Sequence, residues 1–491
     1  MILIKFLFLG FSTALLFPPF FIFPLGFFIF PYFYSQLLKL NQILSTSLYF
    51  FCGIFYGAGF LCILLIWIKN PFLINEATKN YAFFSSFLII FISFIFGLVF
   101  ILFKYTRNFS FKIFCIPLFL IIIEIFIANF WYGFPWLSFA MIISNNPIGS
   151  YFLYLFGTHA TGFLLLNLFL IPQFFIKREK LFVLIKPFSI IILLIFIIIF
   201  SIHLINYQEI NKKEFKEIYI ELFQMNNPVL NNDELSTKEE YIEIVNFIKK
   251  SEADLIVLGE NNYPFIVNNI NQIELDKLLK PNQTLIIGAT RNENKKYFNS
   301  LLVVEKNNTY FFDKKILVPF GEFIPFRAYL GFMDFIAGSS DFDIGSKDRF
   351  VEIKDQYTFI PVICYEIIFF WKLLNKTNNF SDLIVNITND AWFGDFVGPY
   401  QHFYLTKMRA AEFNKPLVRV SNNGITAIFD NNGKILSSTK LNKKEIINFN
   451  LEIGGGVNLI FYHKILNIFL IFIFLTNIYF LLFKKNDNTN I

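Results

Sequence analysis

The sequence runs to 491 residues, of which 55% are hydrophobic, 20% aromatic and only 16% charged, with mean hydropathy +0.55. This balance excludes a disordered chain and a wholly soluble one, since neither carries so much apolar surface without a bilayer to take it up. The net charge of +6 belongs to the first part: eleven Lys and Arg face three acids before Asn206, leaving 31 bases and 33 acids beyond it, so no nucleic-acid partner is expected.

A helix needs about 20 mainly apolar residues to cross a bilayer, because lipid offers the backbone no hydrogen-bond partner. In chain order such runs fall near residues 3–18, 19–38, 46–68, 83–103, 112–130, 150–175 and 187–205, the first two divided at Pro18-Pro19. An eighth, Ile460 to Phe483, stands alone near the C-terminus. No small-residue cleavage site follows the first run, which is therefore read as a retained span. Lys and Arg collect in cytoplasmic loops. With the N-terminus inside, the inner positions carry Lys5, Lys39, Lys104, Arg107, Lys112, Lys177, Arg178, Lys180, Lys186, Lys484 and Lys485, whereas the outer loops carry only Lys69 and Lys79. Parity then puts residues 206–460 outside. Glu124 and His159 lie within spans, where a polar group is costly; structural pairing or an interfacial position is the expected role, with contact to a lipid head group as the alternative.

From Asn206 to about Gly456 the pattern changes to short apolar runs between polar turns, as in an α/β domain. Expected strands are 218–224, 254–258, 284–290, 300–304, 358–363, 382–387, 417–421 and 426–429; expected helices are 237–251 and 401–413. The chain thus divides into a membrane domain of about seven spans over 1–205, an outer α/β domain over 206–456, and a last span with a cytoplasmic tail over 457–491.

Cys52, Cys62 and Cys115 fall inside expected spans, so Cys364 is alone in the outer domain and an intradomain disulfide is excluded. No Cys-x-x-Cys pair or Cys/His cluster is present, and neither metal nor cofactor is expected. Cys364 ends the apolar run 357–363 and precedes Tyr365-Glu366, a strand-to-turn-to-helix junction. Such a junction exposes a nucleophile beside backbone N–H groups able to receive an oxyanion. A small buried hydrophobe is the other reading. Activating a thiol requires a base or a cation. His402 is the single outer histidine well away from the membrane, and it lies at a helix start. Carboxylate and amine come from two other segments: Leu255 to Glu260, an apolar strand ending in an acid whose pKa burial would raise, and Lys314 to Pro325, whose prolines and glycine make a rigid loop.

Taken together and in order, these pieces resemble the Glu-Lys-Cys site of the nitrilase superfamily, and the chain as a whole resembles the apolipoprotein N-acyltransferase family. The carriers are Lys314 to Pro325, Cys364-Tyr365-Glu366, Asn389 to Gly394, Gly398-Pro399 with Gln401-His402, Arg409-Ala410 and Ser421 to Thr426. Two departures stand out: Leu258-Gly259-Glu260 replaces the family's Trp-Pro-Glu, and Asn231-Asn232-Asp233 replaces a Trp found soon after the Gln224 to Pro228 element.

The resemblance implies an α-β-β-α sandwich on a polytopic helical membrane domain, placed in a bacterial inner membrane with the catalytic domain in the periplasm. It implies Glu260 as general base, Lys314 as oxyanion-stabilising amine and Cys364 as nucleophile. Tyr365 would add its backbone N–H to the oxyanion site, and Glu322 and Glu366 would position it. Lys314 is preferred to Lys315 because the family lysine stands three residues before the leucine matched by Leu317. The implied reaction takes an acyl chain from a phospholipid, typically phosphatidylethanolamine, onto Cys364. The acyl chain then passes to the α-amino group of a diacylglyceryl-cysteine on a lipoprotein, the last step of lipoprotein maturation. The alternatives are a membrane-tethered amidase hydrolysing small amides with the same three residues, and a transporter or scaffold with a degenerate outer domain.

Overall fold

The computed structural model describes residues 1–43, 45–106, 112–173, 215–228, 234–270, 273–330, 334, 340–353, 356–375, 377–454, 456 and 458–483. The run expected at 187–205 and the stretch Asn231 to Asp233 lie outside these residues. The described residues form two compact units, one from 1–66, 83–212 and 459–491, the other from 67–82 and 213–458. The short stretch 67–82, read from sequence as a loop of the membrane domain, packs instead as part of the second unit.

The first unit is built from apolar helices: Ile2–Ala14, Gly26–Ile43, Thr46–Leu64, Ser85–Tyr105, Cys115–Asn129, Pro147–Phe169 and Ile460–Phe483. Among the described residues three helices are long and apolar enough to cross a membrane, Thr46–Leu64, Lys79–Tyr105 and Pro147–Gln173. Ile2–Ala14, Cys115–Asn129 and Ile460–Thr476 are apolar but shorter. The chain is a membrane protein on this composition and length. The run expected at 19–38 begins its helix only at Gly26, because Pro18 and Pro19 offer no N–H and the chain first turns through the 3₁₀ segment Phe23–Leu25.

Rings fill the interior of this unit, with Phe33 lying 5.7 Å from Phe6, 5.1 Å from Tyr56 and 5.7 Å from Phe100, centroid to centroid. Glu124 and His159 do pair. His159 Nδ1 lies 2.6 Å from Glu124 Oε1, while Oε2 accepts the Phe139 N–H at 2.8 Å and so caps the 3₁₀ helix Phe139–Ile143. The Pro147–Phe169 helix kinks at Gly157, whose φ of 72° suits glycine and whose missing Cβ would meet His463 Cγ at 2.7 Å. His463 Nε2 donates to the Tyr154 carbonyl at 2.9 Å, satisfying backbone near the break in a setting without water.

The second unit contains two six-stranded sheets, in the orders β12-β1-β2-β3-β4-β5 and β11-β10-β9-β8-β7-β6. The strands are β1 Lys216–Gln224, β2 Leu255–Leu258, β3 Thr284–Glu293, β4 Lys296–Glu305, β5 Asn308–Asp313, β6 Val351–Ile353, β7 Tyr357–Ile363, β8 Leu383–Thr388, β9 Leu417–Ser421, β10 Ala427–Phe429, β11 Ile435–Ser438 and β12 Glu445–Ile453. Parallel pairing runs through β1-β2-β3 and β7-β8-β9, and every other ladder is antiparallel. The parallel strands are buried along most of their length because both their faces are covered, and β2, Leu255-Ile256-Val257-Leu258, is apolar throughout. The Glu234–Lys250 helix lays Ile244, Phe247 and Ile248 on the first sheet against Phe223, Ile256 and Leu285. The Gly398–Phe413 helix places Phe403 5.4 Å from Phe429 of β10. This is the expected two-sheet nitrilase-like α/β fold.

Backbone bonds tie the two sheets together at one end: Glu260 N–H donates to the Thr388 carbonyl at 3.4 Å and Asn226 N–H to that of Asn422 at 2.7 Å. The carboxyl ends of β2, β5, β7 and β8 therefore meet, the usual place for a ligand in an α/β sheet.

Candidate active site

Each of the three expected chemical groups leaves the end of a strand. Glu260 follows β2 after one glycine, Lys314 directly follows β5, and Cys364 directly follows β7. Close approach is built into the Glu260 turn. A Cβ at Gly288 of β3 would stand 2.5 Å from Glu260 Cα and 2.5 Å from Asn261 N, so only glycine lets the turn press against the strand. Gly288 N–H donates to the Gly259 carbonyl at 3.1 Å, and Gly259 N–H to Asn262 Oδ1 at 2.7 Å.

Lys314 is 1% exposed. Its Nζ lies 2.8 Å from Glu322 Oε1 and 3.4 Å from Glu260 Oε1, and Asn299 Nδ2 donates to both carboxylates at 2.7 Å. One amine and one amide thus hold two acids in a single cluster. Glu322 is set by its own loop, where its Oε2 accepts the Val318 N–H at 2.8 Å and its N–H donates to the Val318 carbonyl at 2.9 Å. Lys315 points its backbone elsewhere, donating N–H to Glu366 Oε1 at 2.7 Å.

Cys364 occupies the left-handed region at φ 49°, a conformation costly for a side chain with a Cβ and maintained by its surroundings. Those surroundings centre on Glu366. Its carboxylate accepts the Ile363 N–H at 2.9 Å, the Lys315 and Ile316 N–H groups at 2.7 and 3.1 Å, and a fork from Arg349 at 2.7 and 2.6 Å. This one acid therefore clamps the Cys364 turn to the Lys314 loop. Tyr365, buried, is the next residue of the 3₁₀ turn Cys364–Ile368, its backbone N–H directly following the nucleophile.

The electrostatics define the resting protonation. Burial raises the Glu260 carboxyl above the ordinary 4.5, with Glu322 adding to the rise and Lys314 opposing it. Burial also pushes the Cys364 thiol well up, helped by the Glu260 charge and opposed by Lys314. For Lys314 burial favours the neutral amine, but Glu322 and Glu260 outweigh it and hold the ammonium. Burial would raise Glu366 as well, yet Arg349 and the backbone donors keep it below its ordinary value. Burial thus keeps Cys364 as a thiol, beside the Glu260 carboxyl and the Lys314 ammonium.

His402 meets Cys364 at its backbone rather than standing as a base to the thiol. It is buried in the Gly398–Phe413 helix with Nδ1 2.8 Å from Asp390 Oδ1, and Asp390 Oδ2 also pairs with Arg419. Burial and Arg419 lower the imidazole's pKa, so the ring is neutral. Phe393 packs edge-on at 5.3 Å from His402 and at 4.8 Å from Trp67, and Asn70 Nδ2 donates to the Phe393 carbonyl at 2.7 Å. That contact explains why 67–82 belongs to this unit. Asn299 and Arg349 were not anticipated as site residues. Asn299 left one trace, a polar residue at the edge of the apolar run 300–304; Arg349 left none.

A carbon-nitrogen hydrolase family model matches residues 222–454, and a model of the apolipoprotein N-acyltransferase N-terminal domain matches residues 9–171. Apolipoprotein N-acyltransferases of Brucella melitensis and Rickettsia prowazekii are 36% and 38% identical, over 40% and 39% of this chain. The chain spans 40% of the length of each of these two relatives. An apolipoprotein N-acyltransferase of Wigglesworthia glossinidia brevipalpis is 30% identical over 420 residues, 81% of either chain. A match of that reach, with both family models in their places, means that the chain belongs to the apolipoprotein N-acyltransferase family.

Proposed function

We propose that this protein moves an acyl chain from a membrane phospholipid, through a Cys364 thioester, to the N-terminal α-amino group of a diacylglyceryl-cysteine on an apolipoprotein. The observation that carries the reading is the buried convergence of Glu260, Lys314 and Cys364, in a chain that also supplies membrane-spanning helices. Phosphatidylethanolamine is the proposed donor. The proposed setting is a bacterial inner membrane crossed by about eight spans, with residues 206–456 catalytic and periplasmic.

In the first step Glu260 takes the thiol proton as Sγ bonds to the ester carbonyl carbon. The carbonyl electron pair moves to oxygen, where Lys314 and the Tyr365 N–H receive it. An ammonium has three donors, and two of those on Lys314 are aimed at Glu322 and Glu260. When the carbonyl re-forms, the glycerol oxygen leaves and takes the proton from Glu260, giving a lysophospholipid and an acyl-enzyme. In the second step the lipoprotein amine attacks the thioester and yields its proton to Glu260. The sulfur leaves and recovers that proton, and an amide remains. Covalent storage lets two bulky lipids visit one site in turn. Keeping the acyl chain out of water avoids about 0.8 kcal/mol for each CH₂.

The test is double-reciprocal kinetics with phospholipid and a diacylglyceryl-cysteine peptide. Parallel lines support the two-step exchange, whereas turnover of small soluble amides without N-acyl peptide supports hydrolysis instead.

A further inference from the structure

The mechanism just described leaves unused a cluster of buried polar groups at the end of β8. Asp390, His402 and Arg419 have fully buried side chains, and taking such charges out of water is expensive unless each is paired. Every one is paired. Asp390 Oδ1 faces His402 Nδ1 at 2.8 Å, Oδ2 pairs with Arg419, and Arg419 Nη1 also donates to Thr406 at 2.9 Å and to Asn386 at 3.2 Å. The cluster meets Cys364 at two points, His402 at its backbone and Thr388 at its side chain. Thr388, fully buried at the end of β8, donates its hydroxyl hydrogen to Asp390 Oδ1 at 3.2 Å. The parallel register Ile363↔Ile387 puts Thr388 beside Cys364, where its hydroxyl favours the thiolate. Thr388 also accepts the backbone N–H of Glu260 at 3.4 Å and that of Asn422 at 3.0 Å on its carbonyl. One residue therefore touches the nucleophile through its side chain and the base through its backbone.

A threonine hydroxyl has one hydrogen and two lone pairs. While Asp390 holds that hydrogen, Thr388 Oγ1 offers the sulfur only lone pairs, and the thiol's one hydrogen faces Glu260. Once the sulfur is an anion it needs a donor, and a half-turn about the C–O bond supplies one. Asp390 tolerates losing that hydrogen because Arg419 and His402 remain on it. We infer that Thr388 orients the nucleophile, its hydroxyl aimed by Asp390 at rest and turned to donate to the Cys364 sulfur when Glu260 withdraws the proton. Asp390 is then a positioning residue that acts through Thr388. The inference rests on the reading of Cys364 as nucleophile. The charged and titratable groups around Cys364 are Glu260 after β2, Lys314 after β5, Asp390 after β8 and His402 of the Gly398–Phe413 helix, which bonds the Cys364 backbone, with Arg419 behind Asp390.

The experiment follows alkylation of Cys364 by iodoacetamide in the full-length protein across pH, read on the Cys364 peptide by mass spectrometry, for wild type, Thr388→Val, Thr388→Ala and Thr388→Ser. A hydrogen bond to a charged group is lost in the first two variants and kept in the third. Thr388→Val and Thr388→Ala are expected to slow alkylation about tenfold at a given pH and to move its rise about one pH unit upward, with Thr388→Ser close to wild type. Two hydroxyl-free variants of different size guard against one failing to fold. Wild-type profiles in both, or a Thr388→Ser profile as displaced as that of Thr388→Val, would overturn the inference, the second because it assigns the effect to packing. Alkylation reads the thiol without any acyl transfer. Failure of the acyltransferase reading, seen as no acyl-thioester on wild type given phospholipid vesicles, is therefore separate from failure of this one.

Discussion

Lys314 Nζ stands 3.4 Å from Glu260 Oε1, so the proposed oxyanion donor and the proposed base form one buried ion pair, with Glu322 as its third member at 2.8 Å. Lys314→Ala would leave two buried carboxylates without their cation. Breaking a buried pair in this way costs about 3–5 kcal/mol, and losing an oxyanion donor costs about 10²–10³ in rate. The expected result is no detectable N-acylation together with a lowered unfolding temperature. Lys315→Ala, which keeps the backbone N–H given to Glu366, should retain activity.

The acid side of the pH profile follows from Glu260. It must be a carboxylate to accept the thiol proton, and burial raises its pKa above 4.5, so acylation is lost on acidification earlier than an ordinary Glu would allow. Glu322 contributes to that rise as a like charge. Glu322→Gln should move the acid limb to lower pH, measured as single-turnover acylation of Cys364 against pH.

Asp390 provides a separate acid-stability test. Burial would raise its carboxyl, but Arg419 and His402 hold it at about 2 against an ordinary 3.8. A depressed carboxyl contributes stability that is whole above 3.8 and disappears as pH falls through about 2. Asp390→Asn should flatten that part of the stability profile in acid unfolding followed by fluorescence.

Gly288→Ala addresses the base's placement. The new Cβ would press on Glu260 Cα at 2.5 Å, and a displacement of about 1 Å at a catalytic group costs on the order of 10²-fold. Slow acylation with an unchanged iodoacetamide rate at Cys52, Cys62 and Cys115 is the expected outcome.

Much of the outer unit was legible because its central strands are rich in apolar residues between polar turns, and β9 has the expected limits. The strands that escaped notice have physical reasons to be faint. β12 alternates buried Ile447, Leu451 and Ile453 with charged and amide residues at a sheet edge, β5 is an edge strand that buries only Phe312 and Asp313, β11 is largely exposed, and β6 is three residues long. Cys364 showed itself as a thiol at the end of an apolar run, Glu260 as an acid at a strand end and Lys314 as an amine opening a rigid loop. Their meeting was not legible without the family pattern, since it depends on the pairing of two sheets. Asn299, Arg349 and the contact of Asn70 with Phe393, 323 residues apart, are products of that tertiary packing and leave no local period to read.

The most direct test of the account is the mass of the Cys364 peptide after the purified protein meets phosphatidylethanolamine vesicles without acceptor. A fatty-acyl increment on Cys364, removed by hydroxylamine and discharged on adding a diacylglyceryl-cysteine peptide, is the predicted result. N-acyl peptide made at the wild-type rate by Cys364→Ser, or an acyl group found on a different residue, would contradict it.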